Sequence, residues 1–150
     1  METVYEAAGG SEGMLRLAAE WHELVMADEV VSHAFHDGAR PDHTERLAAY
    51  WGEALGGPPA YTEAYGDEAS VQRRHAGNGE HDEMNHRAIA CFDEAVIAAG
   101  IDDERTRSVL HDYFAWTTFN TMYRHRSEDI DDGQAVVQWS WDGRQEAAES

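Results

Sequence analysis

Apolar side chains recur every three or four residues in several segments of this chain, and glycines and prolines separate those segments. Such spacing places the apolar side chains on one face of an α-helix. The first segment follows Gly9 and Gly10, and Ser11 is its expected N-cap. The pattern therefore predicts an amphipathic helix whose apolar positions are Met14, Leu17, Ala18, Trp21, Leu24 and Val25.

A second helical segment begins near Pro41–Asp42 and ends at the breaker Gly56–Pro59. His43 lies one turn before Leu47 on the same face, so we expect its side chain to point inward. The apolar positions of this segment are Leu47, Tyr50, Trp51, Ala54 and Leu55.

The remaining pattern is also helical. Residues 61–66 read as a loop, and Asp67 is placed to cap a short helix that reaches His75. Two longer helices follow, one ending at Gly100 and one begun by Asp102. The whole pattern predicts an all-α fold.

The length of 150 residues suits a single domain. We place this domain at residues 1–126 and an acidic C-terminal extension at 127–150. The extension contains Val136–Trp141, an apolar patch that is compatible with a short strand, a docked arm or a disordered tail.

The charge of the chain argues against several function classes. The net charge is −19, and all eleven basic residues are arginine. The absence of lysine excludes Schiff-base catalysis, and the acidic balance argues against nucleic acid or an anionic membrane as a partner. The chain contains no long apolar run and no signal-peptide pattern, so we expect a cytoplasmic protein.

The short basic stretch Arg73-Arg74-His75 is the main candidate for chemistry. A helix that ends in an imidazole flanked by arginines suits a haem. A neutral imidazole ligates the haem iron, and guanidinium groups pair with the haem propionates. We therefore interpret His75 as an iron ligand and Arg73 or Arg74 as a propionate partner.

Several short segments, in this order and spacing, resemble the group II truncated haemoglobins. The resemblance covers about residues 3–122, and the segments that carry it are Val4–Gly10, Ala27–Val30, Glu45–Leu47, Gly56–Pro58 and Arg73–His75. It implies a two-over-two helical sandwich that encloses haem b, with His75 as the proximal iron ligand and the arginine before it near a propionate.

The ligand side of the implied haem departs from the family pattern. The resemblance places His22 where the family usually has tyrosine, His43 where the residue is often small, and Phe35 where an aromatic residue packs on the haem. A hydrogen bond from either imidazole would strengthen oxygen binding by about 1.5–3 kcal/mol. Alternatively, His43 binds the iron itself and gives a six-coordinate haem.

The family's usual tryptophan on the fifth main helix aligns with Ala88, and the missing indole leaves space. Either His22 and His43 replace its donor function, or the pocket is enlarged for a substrate bigger than a diatomic gas. The residues that we expect to contact the cofactor are Trp21, Phe35, Leu47, Tyr50, Val71, Arg73, Arg74 and Ala88.

The resemblance implies binding of oxygen, nitric oxide, carbon monoxide or peroxide. Nitric oxide dioxygenation would need a reductase as partner, and peroxidase-type chemistry would use His22 or His43 as the acid and base. A homodimer is a further expectation.

Two other classes remain open. Glu83 and His86 have the Glu-x-x-His spacing of di-iron bundles, which would make a non-haem metal-binding protein. A haem-free globin-like interaction or sensor domain is the second alternative, with the Trp139–Trp141 segment docking on a partner.

Overall fold

A computed structural model describes residues 2–32, 43–65, 82–122 and 136–145. Five predicted site residues, namely Phe35, Val71, Arg73, Arg74 and His75, lie outside this part of the chain. The described elements are α1 (Val4–Ala7), α2 (Gly10–Ala27), α3 (His43–Ala54), α4 (Ala60–Ala64), α5 (Asp82–Ala98), α6 (Glu104–Met122), β1 (Trp139–Ser140) and β2 (Gly143–Arg144).

The turn between α1 and α2 depends on glycine. Gly9 is the N-cap of α2 with a φ of 107°, in the left-handed region that glycine adopts at low cost. A Cβ atom on Gly13 would lie 2.0 Å from the Ala8 carbonyl oxygen, so only glycine allows this approach. The prediction of Ser11 as the N-cap is wrong, because α2 already begins at Gly10.

The four long helices form two layers. Helix α2 packs against α3 and α5, and α5 packs against α6, which is the expected two-over-two arrangement. Each long helix contributes one ring to a central aromatic cluster. The rings of Phe92 and Phe114 stack at 4.1 Å, and Trp51 meets both edge-on. Trp21 packs edge-on against Trp51 and Phe114 at 5.8 and 5.6 Å.

Residues 61–66 do not form the predicted loop, because α4 occupies Ala60–Ala64. The buried carboxylate of Glu53 accepts a hydrogen bond from the backbone N–H of Thr62 at 2.8 Å. Tyr61 is buried and packs edge-on against Tyr50 at 5.4 Å. These contacts with α3, nine and eleven residues earlier in the chain, hold a helical turn that local sequence does not signal.

The predicted boundary between the last two long helices is nearly correct. Helix α5 ends before Gly100, which has a φ of 84°. Helix α6 is capped by Asp103 rather than begun by Asp102, since the Asp103 carboxylate accepts hydrogen bonds from the N–H and hydroxyl of Thr106. These bonds lower the pKa of Asp103, with the bond from the Thr106 hydroxyl as the largest cause.

The C-terminal patch is both a strand and a docked arm. Strands β1 and β2 pair in antiparallel fashion, with Trp139 opposite Arg144. Trp139 is buried and packs edge-on against Tyr113 of α6 at 5.7 Å. The indole N–H of Trp141 donates to the backbone oxygen of Glu2 at 2.8 Å. This hairpin thus joins the last long helix to the N-terminus.

Candidate functional site

The structure brings the two predicted ligand-side histidines together. His22 lies on α2 and His43 is the first residue of α3, so the packing of these helices sets their separation. The Nδ1 atoms are 3.2 Å apart, and the ring centroids are 5.1 Å apart with a 56° angle between the rings. Both side chains are half-buried.

A contact between two Nδ1 atoms restricts the protonation of both rings. In a neutral pair, one Nδ1 must carry the hydrogen that the other accepts. The accepting ring then has its own proton at Nε2, whereas the donating ring has a lone pair at Nε2. In the neutral state, His22 and His43 therefore form a unit that contains one Nε2 donor and one Nε2 acceptor.

Trp21 positions the chain next to this pair. Its ring is 8% exposed, and its indole N–H donates to the backbone oxygen of Ala88 at 3.1 Å. This bond ties α2 to α5 one residue before His22. Trp21 and Ala88, both predicted to contact the cofactor, are therefore joined directly.

Leu47 and Tyr50 follow His43 along α3. Leu47 is half-buried and packs against the hydrophobic core. The Tyr50 side chain is buried, and its hydroxyl lies 3.4 Å from the Thr117 hydroxyl on α6. Tyr50 therefore has a contact across the layers in addition to its predicted role at the cofactor.

Asn85 is a site candidate that the sequence reasoning missed. It lies one turn before Ala88 on α5 and is 2% exposed. Its side-chain nitrogen has no hydrogen-bond partner in the part of the chain that the structure describes. Such an amide usually has a partner when buried. The available signal was a polar residue within the apolar pattern of this helix.

The seam between α2 and α5 also contains a charge pair. The Asp28 carboxylate accepts bonds from the N–H groups of Val30 and Val31, at 2.8 and 2.9 Å, and lies 3.5 Å from Arg87. The bond from Val31 is the largest cause of the lowered pKa of Asp28. Burial, followed by the charge of Asp28, raises the pKa of Cys91, which favours the inert thiol.

The proposed Glu-x-x-His metal pair lies on the surface. Glu83 and His86 are exposed, and Glu83 forms an ion pair with Arg87 at 3.2 Å. Within residues 2–32, 43–65, 82–122 and 136–145, no group of three or more histidine, cysteine or acidic side chains is placed to hold a metal ion. No helix in these ranges is long and apolar enough to cross a membrane.

The described residues fit the ligand side of a haem site. Hydrogen-bond donors on the ligand side of a haem tune the binding of small ligands, and the half-buried imidazoles of His22 and His43 are groups of that kind. The predicted iron ligand His75 lies outside the described residues, so its role stays a prediction.

Comparison with known families and structures agrees with this arrangement. Residues 3–120 match the family model of the bacterial-like globins. No protein of curated function matches the sequence significantly.

Several solved structures share the fold. The group II truncated haemoglobin of Bacillus anthracis has a TM-score of 0.72 and 21% identity, over 84% of this chain and 94% of that one. The haemoglobin of Chloroflexus aurantiacus has a TM-score of 0.71 and 26% identity, over 83% and 100%. A thermostable haemoglobin from Thermobifida fusca has a TM-score of 0.67 and 27% identity, over 81% and 97%.

Proposed function

The chain belongs to the bacterial-like globin family, which implies a haem cofactor, and we propose that it binds small ligands such as oxygen at a haem b held by His75. Arg73 or Arg74 pairs with a propionate in this proposal. When bound, haem supplies an iron with an open coordination position. The contact between His22 and His43 is the observation that carries the proposal.

A neutral histidine pair supplies one Nε2 donor, whichever of the two rings accepts at Nδ1. Because one Nδ1 donates to the other, the accepting ring holds its proton at Nε2, where it can donate to a ligand atom. The packing of α2 on α3 keeps both rings in place. A donor that is already oriented loses little entropy when it bonds a ligand.

The test is the rate of oxygen release from the ferrous protein, measured by stopped flow. A hydrogen bond to a ligand with anionic character contributes about 1.5–3 kcal/mol, so His22→Leu and His43→Leu should each release oxygen about tenfold faster or more. The control is His111→Leu, because His111 is an exposed histidine that bonds Asp93 on the surface. Unchanged release in both variants would contradict the proposed donor role.

Peroxidase-type chemistry is a second candidate that the same geometry favours. Moving a proton between the two oxygens of a peroxide requires one group that accepts a proton and one that donates it. The paired tautomers of His22 and His43 provide both groups in one unit. We expect either leucine variant to slow peroxide consumption by the ferric protein, measured against His111→Leu.

A further inference from the structure

Asn85 is a buried polar side chain with no role in the contact between His22 and His43. It is 2% exposed, and the structure leaves its Nδ2 without a hydrogen-bond partner among the described residues. A buried donor without a partner costs free energy relative to an apolar residue of similar size. Its presence therefore points to an acceptor other than the residues that the structure describes.

Other polar groups where α2 meets α5 already have hydrogen-bond or ion-pair partners. The Ala88 carbonyl, one turn along α5, accepts the indole N–H of Trp21. The Asp28 carboxylate accepts from two backbone N–H groups and pairs with Arg87. Arg87 also pairs with Glu83. The described carboxylates of this seam thus have other partners.

The position of Asn85 relates it to the candidate haem site. Asn85 and Ala88 are three residues apart on α5, so they share a face of that helix. The Trp21 indole bonds Ala88 and directly precedes His22 of the histidine pair. Asn85 therefore lies one turn from Ala88, a residue that we expect to contact the cofactor, on the helix that Trp21 joins to α2.

We propose that the Asn85 amide donates a hydrogen bond to an oxygen atom that enters with the haem, and that this bond helps to retain the cofactor. This inference rests on the proposed haem function. The acceptor is either a haem carboxylate or an oxygen of the small ligand on the iron, since both are oxygen acceptors for an amide N–H.

The experiment measures haem transfer from the purified holoprotein to excess apomyoglobin. Asn85→Leu should lose haem about tenfold faster than wild type, and Asn85→Ala tests the same amide without added bulk. The matched control is Thr106→Val, which removes a buried polar group on α6 that already has its partner in Asp103. The control should lose haem at nearly the wild-type rate.

Two further arms identify the acceptor. If it is a carboxylate, reconstitution with haem dimethyl ester should abolish the difference between Asn85→Leu and wild type. If it is the ligand, that difference should persist in the oxygen complex with the ester, and the C–O stretching frequency of the carbon monoxide complex should shift in Asn85→Leu.

Two negative results have different meanings. Haem loss and C–O frequency equal to wild type in both Asn85 variants would overturn this inference alone. A wild-type protein that takes up no haem would overturn the proposed function and the inference together.

Discussion

A separation of 3.2 Å between two Nδ1 atoms makes His22 and His43 one chemical unit. Neither ring can change its tautomer without a response from the other, because the shared contact needs one donor and one acceptor. Replacing either histidine therefore removes one ring and also allows the remaining ring to adopt either tautomer.

This coupling predicts strongly non-additive substitutions. His22→Leu and His43→Leu should each accelerate oxygen release nearly as much as the double variant does, because each breaks the same unit. A double-mutant cycle on the oxygen dissociation rate measures the coupling. Additive effects would mean that the rings act independently.

At the level of single residues, the sequence predicted which side chains share one face of a helix. His22 and His43 were expected on one side of the pocket, and the structure places them in contact. The bond from Trp21 to the Ala88 carbonyl and the unpartnered Asn85 amide were not predictable, since both depend on how α2 meets α5. Helical periodicity predicts which face of a helix is buried, but not which other helix packs against that face.

Helix ends show the same division between local and long-range causes. The breaker at Gly100 was predicted, because a positive φ there favours glycine. Ser11 satisfied the local preference for an N-cap, yet Gly9 takes that place because the turn from α1 demands it. Helix α4 was missed because its bond to Glu53 depends on how the chain turns back onto α3, which helical periodicity does not predict.

The cap of α6 predicts a particular response to acid. Asp103 has a pKa below its ordinary value of 3.8, so its charged form stabilises the folded state. This contribution is complete above about pH 4 and disappears as the pH falls through the lowered pKa. Asp103→Asn keeps a neutral cap, so it should be less stable than wild type at pH 5 and approach it at lower pH.

Urea unfolding between pH 5 and pH 2.5 measures this effect. Asp102→Asn is the matched control, because it removes the same charge one residue earlier and leaves the bonds to Thr106 intact. The prediction would be contradicted if the free energies of unfolding of wild type and Asp103→Asn differed by the same amount at every pH in this range.

For the whole molecule, the C-terminal hairpin acts as a clamp between α6 and the N-terminus. Arg105 lies 4.6 Å from the ring of Trp141, and Arg144 lies 5.2 Å from the ring of Trp116. Trp139 packs under them against Tyr113. The clamp packs on Tyr113 and Trp116 of α6, whereas the histidine pair lies on α2 and α3.

Removing the clamp should lower stability and leave the candidate site intact. Trp139→Ala should destabilise the protein by about 3 kcal/mol, as for other buried tryptophans, which is a decrease of about 6–12 °C in Tm. Thermal unfolding of the haem-loaded protein measures the change. Trp141→Phe, which removes the bond to Glu2 and keeps a smaller aromatic ring beside Arg105, should have a smaller effect. A changed haem spectrum in Trp139→Ala would contradict the separation of the clamp from the site.

The most direct test of the account is the absorption spectrum of the purified protein in its ferric, ferrous and carbon monoxide forms. We predict one haem per chain and a Soret band in wild type, loss or a strong shift of that band in His75→Ala, and recovery when imidazole is added to the variant. A protein that takes up no haem, or a His75→Ala spectrum identical to wild type, would contradict the central claim.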